Sequence, residues 1–229
     1  MSATFHEPGY THHVELVHQR DPVARRRLAS LLLSVYNPQG TMLREIDLDP
    51  NQETVDLAGL LRDLESTHPR LMVVFDARYD ERVFPYRPHH YAYLHACDST
   101  LPPLYYAVIA VLGGVPDRID NTRINNFETY VFRQHPDEET YSVMVGNLSR
   151  FATADAQLIV YHGASQRTSV AVTLGPKQHA EVPLLADVGG ERLTRVEMKT
   201  PFRLANYVVG REGQSGTRVL FDHMFTYFR

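Results

Sequence analysis

The sequence predicts an all-β protein of two tandem antiparallel β-sandwich domains related by internal duplication, with one short helix in the first. Three observations carry that prediction. Apolar runs are short and rich in Val, Ile, Tyr and Phe, and Pro, Gly, Asn and Asp punctuate them at the spacing of antiparallel strands. Within the runs, apolar and polar positions alternate: Val170, Val172 and Leu174 alternate with Ser169, Ala171 and Thr173, and Tyr141, Val143 and Val145 keep the same rhythm. Motifs of the first half also recur, in order, in the second.

Val35-Tyr36 returns as Val160-Tyr161 at an offset of 125, and Leu48-x-Pro50-x-Gln52 as Leu174-x-Pro176-x-Gln178 at 126. Arg70-Leu71 with Ala77-Arg78 matches Arg203-Leu204 with Gly210-Arg211 at 133. His89-x-Tyr91-Ala92-Tyr93-Leu94 matches His223-x-Phe225-Thr226-Tyr227-Phe228 at 134. An offset that grows slowly is what a tandem duplication with loop insertions leaves. The repeat predicts a first domain over residues 11–97, a connecting segment over 98–126 and a second domain over 127–229. Each domain then has the size of a small sandwich.

Along the chain, Arg25-Arg26-Arg27 read as the solvated entry to a strand that contains Leu31-Leu32-Leu33. Asn37-Pro38-Gln39-Gly40 and Asp49-Pro50-Asn51 supply turn chemistry. Leu57, Leu60, Leu61 and Leu64 fall at helical spacing after Thr54, which predicts the one short helix. Residues 104–112, bounded by Pro102-Pro103 and Gly113-Gly114, read as a strand. Glu138-Glu139 sit in a polar, turn-like run.

At 229 residues, 43% hydrophobic and 22% charged, the chain is of globular composition. A formal charge of -4 and a pI near 6.3 offer no basic stripe, so nucleic acid is not the expected partner. No cationic start precedes an apolar segment, and no uninterrupted apolar span reaches about 18 residues, so membrane insertion is not expected. The single cysteine, Cys97, rules out an intrachain disulfide and suits a reducing, cytoplasmic setting. There the glycosylation pattern Asn147-Leu148-Ser149 carries no weight.

The densest chemistry-bearing group is His89, His90, His95 and Cys97. On a strand, His89, Tyr91, Tyr93, His95 and Cys97 share one face. Imidazoles and a thiolate suit zinc, but two histidines six residues apart on an extended strand cannot reach one ion unaided. The competing reading sends Ala92 and Leu94 into the core and leaves the His and Tyr side chains as a contact surface, with His223, Phe225 and Tyr227 in the second half. Arg78 and Arg211 would bind an anion or pair with Asp76, Asp80 or Glu212. Tyr105, Tyr106, Arg123, Asn125, Asn126, Glu128 and Tyr130 would line a cleft between the domains or hold them in register. No nucleophile elbow, phosphate loop, zinc-protease helix or dinucleotide fingerprint is present, so no catalytic residue, resident metal or cofactor is assigned.

From Glu139-Thr140 through Asn147-Leu148-Ser149, residues 156–161 and Leu174-Gly175-Pro176, the second half resembles the sensory rhodopsin transducer family. Thr200-Pro201, Arg211 and Thr226-Tyr227 resemble that family's paired last strands. The resemblance implies a small β-sandwich that oligomerises and serves a signalling protein without catalysis or a held cofactor. Two domains in one chain depart from the family's single-domain pattern.

The expectation is therefore a non-enzymatic cytoplasmic adaptor or ligand-binding protein, with a protein or small molecule as its partner. Exposed sheet edges favour homo-oligomers. The alternatives are a structural subunit of a larger assembly and an enzyme whose site, drawn from His89, His90, Tyr105, Asn125 and Glu128, lies between the domains.

Overall fold

A computed structural model describes residues 1–16, 26–80, 90–110, 125–130, 139–163, 166–185, 187–202, 204–213 and 215–227. The fold is all-β and antiparallel, with one complete helix among the described residues. The chain forms two compact units, Met1–Gly113 and Gly114–Arg229.

The first unit runs β1 (Ser2–His6), β2 (Tyr10–Glu15), β3 (Leu28–Tyr36), β4 (Met42–Leu48), β5 (Thr54–Asp56), α1 (Leu57–Glu65), β6 (Leu71–Tyr79), β7 (His90–Ala96) and β8 (Leu104–Ala110). Its strands are ordered β4-β3-β6-β1-β8-β7-β2-β5. The first unit thus takes in β1 and β8, which lie outside residues 11–97, and β8 is the strand read in residues 104–112.

The second unit runs β9 (Asn125–Tyr130), β10 (Glu139–Asn147), β11 (Ala154–His162), β12 (Gln166–Leu174), β13 (His179–Leu184), β14 (Asp187–Val188), β15 (Glu191–Thr200), β16 (Leu204–Glu212), β17 (Arg218–His223) and β18 (Phe225–Tyr227). One sheet is ordered β12-β11-β15-β9-β18 and the other β13-β10-β16-β17. Tyr141, Val143, Val145, Leu158, Val160, Val196 and Met198 meet in the apolar core between them. β10 is buried on both faces from Tyr141 to Asn147, where alternation led us to expect one.

The two orders are one topology written twice, with β9 standing for β1, β10 for β2, β11 for β3, β12 for β4, β13 for β5, β15 for β6, β16 for β7, and β17 with β18 for β8. Registers agree. Val73 pairs with Val35 and Thr4, and Val196 pairs with Val160 and Thr129. Val14 pairs with Ala92 and Val55, and Val143 with Val208 and Val182.

The first two sequence matches thus fall on equivalent strands, and the last two are one strand out. Leu71 and Arg78 lie on β6, whose counterpart is β15, whereas Leu204 and Arg211 lie on β16; Arg203 lies outside the described residues. Tyr91 to Leu94 lie on β7, whose counterpart is also β16 and not β17 or β18. Two longer connections in the first unit are the cause. α1 lies between β5 and β6, and across it the register offset falls from 127 (Val55 to Val182) to 123 (Val73 to Val196); across the link between β6 and β7 it falls again to 116 (Ala92 to Val208) instead of growing.

Local chemistry explains the elements that were foreseen. Gly40 takes φ 82° and donates to Asn37 O at 2.9 Å, which closes the β3–β4 turn. Gln52 N donates to Asp49 O at 2.9 Å, and Gln178 N to Gly175 O at 3.1 Å, so the repeated Pro-containing motif is one turn used twice. Asp56, not Thr54, caps α1: its Oδ1 accepts from Gly59 N at 3.0 Å. Leu57 and Leu61 are fully buried beneath α1, each stabilising the unit by about 2 kcal/mol. Arg26, which is exposed, and Arg27 lead directly into β3 at Leu28, the strand entry expected there, with helical backbone at both; Arg25 lies outside the described residues. Glu138 also lies outside them, while Glu139 opens β10 and pairs in register with Glu212. No helix among the described residues is long and apolar enough to cross a membrane.

Candidate functional site

Alternation on β7 sorts its side chains. Ala92 and Leu94 are buried, as is His90, whose ring meets Phe75 edge-on with centroids 5.6 Å apart. Tyr91, Tyr93 and His95 point the other way. The neighbouring strands present aromatics to the same outer face. Tyr93 pairs in register with Tyr105 on β8 and with His13 on β2, and His13 pairs with Asp56 on β5.

These four positions make one cross-strand row. The Tyr93 and Tyr105 rings meet edge to face at 5.2 Å, His13 lies 6.4 Å from Tyr93, and His13 Nδ1 lies 3.8 Å from Asp56 Oδ1. His95 flanks the row, 6.4 Å from Tyr93. At the spacing of neighbouring strands the row spans about 14 Å. Tyr105 is 73% exposed and Tyr91 49%, unusually open for rings of this size.

Beneath this face lies a feature that motif reading missed. Glu65 at the end of α1 accepts from His6 Nε2 at 2.9 Å; His6 Nδ1 meets His12 Nδ1 at 3.1 Å; His12 Nε2 meets the Tyr106 hydroxyl at 2.7 Å; and that hydroxyl meets Thr4 Oγ1 at 2.6 Å. Thr4, His6 and His12 are fully buried and Tyr106 nearly so, and only the Glu65 carboxylate reaches solvent. His12 and Tyr106 each precede or follow a member of the outer row, His13 and Tyr105, because successive strand residues face opposite ways. The available signal was that alternation: Tyr10, His12 and Val14 share the buried face of β2.

The two imidazoles are joined by a hydrogen bond and not by a shared ion. Their centroids are 5.4 Å apart and their nitrogens 3.1 Å, and the 2.3 Å difference is about two ring radii, so both nitrogens lie on the line between the rings and face each other. An ion held at about 2.0–2.1 Å from each nitrogen would have to sit off that line.

The second unit fills the equivalent interior differently. By register His12 corresponds to Tyr141 and Tyr106 to Asp222, and Tyr141 packs in the apolar core. The shared frame therefore closes without a histidine pair.

Of the four residues weighed as metal candidates, His90 and His95 lie on opposite faces of β7, Cys97 is exposed with Sγ 3.9 Å from Thr11 Oγ1, and His89 lies outside the described residues. Among the described residues no three His, Cys, Asp or Glu side chains are placed to hold a metal ion. Arg78 pairs with Asp76 at 3.7 Å. Arg211 on β16 pairs with Glu181 at 3.5 Å, across β10 on β13. His223 Nδ1 lies 3.1 Å from Asp222 Oδ1. Asn125 and Glu128 stand opposite Thr200 and Glu197 in register, and Tyr227 opposite Asn126; their side chains lie outside what is described.

Asn147, Leu148 and Ser149 form an internal corner. Asn147 Nδ2 donates to the carbonyls of Ala152, Leu174 and Gly175 at 2.8, 3.0 and 3.0 Å, and its Oδ1 accepts from Ser149 N at 2.9 Å. The glycosylation pattern is thus buried in the folded chain. No family model, curated protein or solved structure matches this chain.

Proposed function

We propose that the chain is a non-enzymatic binding protein of the adaptor type, whose contact surface is the aromatic face of β2, β7 and β8. The row His13–Tyr93–Tyr105, with Tyr91 and His95 at its sides, carries this reading: large amphipathic rings stand exposed on a rigid sheet. Tyrosine contributes contact area at low entropic cost, which is why it concentrates at recognition surfaces. The proposed occupant is an extended, proline-rich segment of a protein partner, whose rings stack on flat aromatic faces. Asp56 at the end of the row and Glu15 beside Tyr91 would receive a basic residue of that segment. The resemblance to the sensory rhodopsin transducer family supports a signalling partner, and the single exposed Cys97 supports a cytoplasmic setting.

Calorimetric titration of a proline-rich peptide panel, with and without Arg or Lys, against the wild type and Tyr93→Ser/Tyr105→Ser tests the proposal. Binding in the micromolar range that weakens about tenfold or more in the double variant is expected, because anchoring rings contribute about 1–2 kcal/mol or more each. Absence of binding to every peptide, or binding that ignores the double variant, would remove the aromatic face from consideration.

A further inference from the structure

We infer that the buried chain Thr4–Tyr106–His12–His6–Glu65 is a proton-operated switch that tightens the hold of the sheet on the end of α1. The argument rests on hydrogen-bond polarity. Nitrogens facing each other at 3.1 Å share one hydrogen, because two N–H groups would collide and two lone pairs would repel. With both rings neutral and Glu65 ionised, every direction in the chain is fixed. His6 Nε2–H donates to Glu65, His12 Nδ1–H donates to His6 Nδ1, the Tyr106 hydroxyl donates to His12 Nε2, and Thr4 donates to Tyr106. The two rings are opposite tautomers.

One added proton keeps all four contacts when both rings carry Nε2–H and share a single hydrogen between their Nδ1 atoms. The Glu65 carboxylate beside His6 draws that hydrogen to His6, which becomes the imidazolium: its Nδ1–H now donates to His12 Nδ1 while its Nε2–H still donates to Glu65. His12 must then carry its hydrogen on Nε2 and donate to Tyr106, and Tyr106 turns to donate to Thr4. Every bond beyond His6 reverses. A second proton has no place, since both Nδ1 atoms would be donors. The His6–Glu65 hydrogen bond meanwhile becomes a charge-assisted pair, partly screened because Glu65 is 21% exposed.

The register partners Leu71 of β6 and Leu94 of β7 are apolar, and Leu57 and Leu61 form the buried side of α1. Charged or titratable groups on the elements around the pair include the Glu7–Arg70 ion pair at 3.2 Å beside the end of β1, His90 of β7, whose ring meets Phe75 of β6, and Tyr79 at the far end of β6.

Nitrogen-15 NMR of the imidazoles of the full-length chain, followed from neutral to acid pH, tests the switch. The expected result is opposite tautomers in His6 and His12 at neutral pH and one step in which His6 gains a proton and His12 changes tautomer at the same midpoint. Hydrogen exchange in the last turn of α1 should slow through that step. In Glu65→Gln the midpoint should fall by about one pH unit, tenfold in proton affinity, because a nearby carboxylate shifts such equilibria by about 1–3 units and this one is partly solvated. A merely structural glutamate would leave the midpoint in place. Like tautomers in the two rings, two separate protonation steps, unfolding before any step, or an unmoved midpoint in Glu65→Gln would each overturn the inference.

Discussion

Replacing Tyr106 by Phe removes one oxygen and keeps the ring. That oxygen meets His12 Nε2 at 2.7 Å and Thr4 Oγ1 at 2.6 Å, in a site where Tyr106 is 4% exposed and the other two residues are fully buried. A buried polar group stripped of a partner costs about 1–3 kcal/mol, so Tyr106→Phe should destabilise the first unit by about 2–4 kcal/mol. Thr4→Val alone should cost about 1 kcal/mol, because Tyr106 keeps its contact with His12. In the double variant the two losses should fall short of additivity by about 0.5 kcal/mol or more, since the shared contact can be lost only once. Urea unfolding of the full-length chain, with hydrogen exchange of the β2 and β8 amides assigning the loss to the first unit, measures all three. Tyr141→Phe is the control: its hydroxyl donates to the partly buried Glu139 carboxylate, and about 1 kcal/mol or less is expected. A Tyr106→Phe loss below about 0.5 kcal/mol, or strict additivity with Thr4→Val, would refute the hydrogen-bonded chain.

Three other outcomes follow from the geometry. Asn147→Ala removes a buried amide that serves three carbonyls and one N–H, and should cost the second unit about 3 kcal/mol or more in urea unfolding. Asp56→Ala removes the α1 cap and the acidic end of the aromatic row; a loss of about 1 kcal/mol, with faster hydrogen exchange at Gly59, is expected. Tyr161 has its hydroxyl pushed above its ordinary value of 10.0 by burial and by donation to Glu197 Oε2 at 2.8 Å. The folded state then holds that proton longer than the unfolded chain, so this stabilisation is complete below about pH 10 and is lost as pH rises through the folded value. In a near-ultraviolet absorbance titration, Tyr161→Phe should remove one late-titrating tyrosine.

Where a rule is local, the sequence could be read directly. Four leucines at helical spacing located α1, Asn37 to Gly40 and Asp49 to Gln52 located turns, and period two divided Ala92 and Leu94 from Tyr91, Tyr93 and His95. Where spatial neighbours are distant in sequence, it could not. Arg70 with Arg203 looked equivalent because each is a basic residue before Leu and a hydrophobic run, a pattern that Arg27-Leu28 at β3 also satisfies; only pairing partners separate β15 from β16 as the counterpart of β6. The buried chain was invisible for the same reason. His6 and His12 sit on strands that do not pair with each other, and Tyr106 is 94 residues from His12. The outer row was half-legible: Tyr91, Tyr93, His95 and Tyr105 were singled out, while His13 and Asp56 entered only through register.

Two copies of one frame in one chain allow the role of the histidines to be separated from the needs of the fold. Val14 and Val143 occupy the same node of the topology, yet the residue two before each is His12 in one unit and Tyr141 in the other. A buried polar chain stabilises little relative to an apolar filling of the same volume, although breaking it at one point is costly. The combined variant Thr4→Val/His6→Leu/His12→Leu/Tyr106→Phe, which leaves Glu65 its solvent, should therefore keep the first unit within about 1 kcal/mol of wild type, well above the single Tyr106→Phe variant. Its stability should also lose any step with pH in the range where histidines titrate. A combined variant several kcal/mol less stable than Tyr106→Phe would mean that the histidines are kept because the first sandwich cannot pack without them, and the proton switch would lose its rationale.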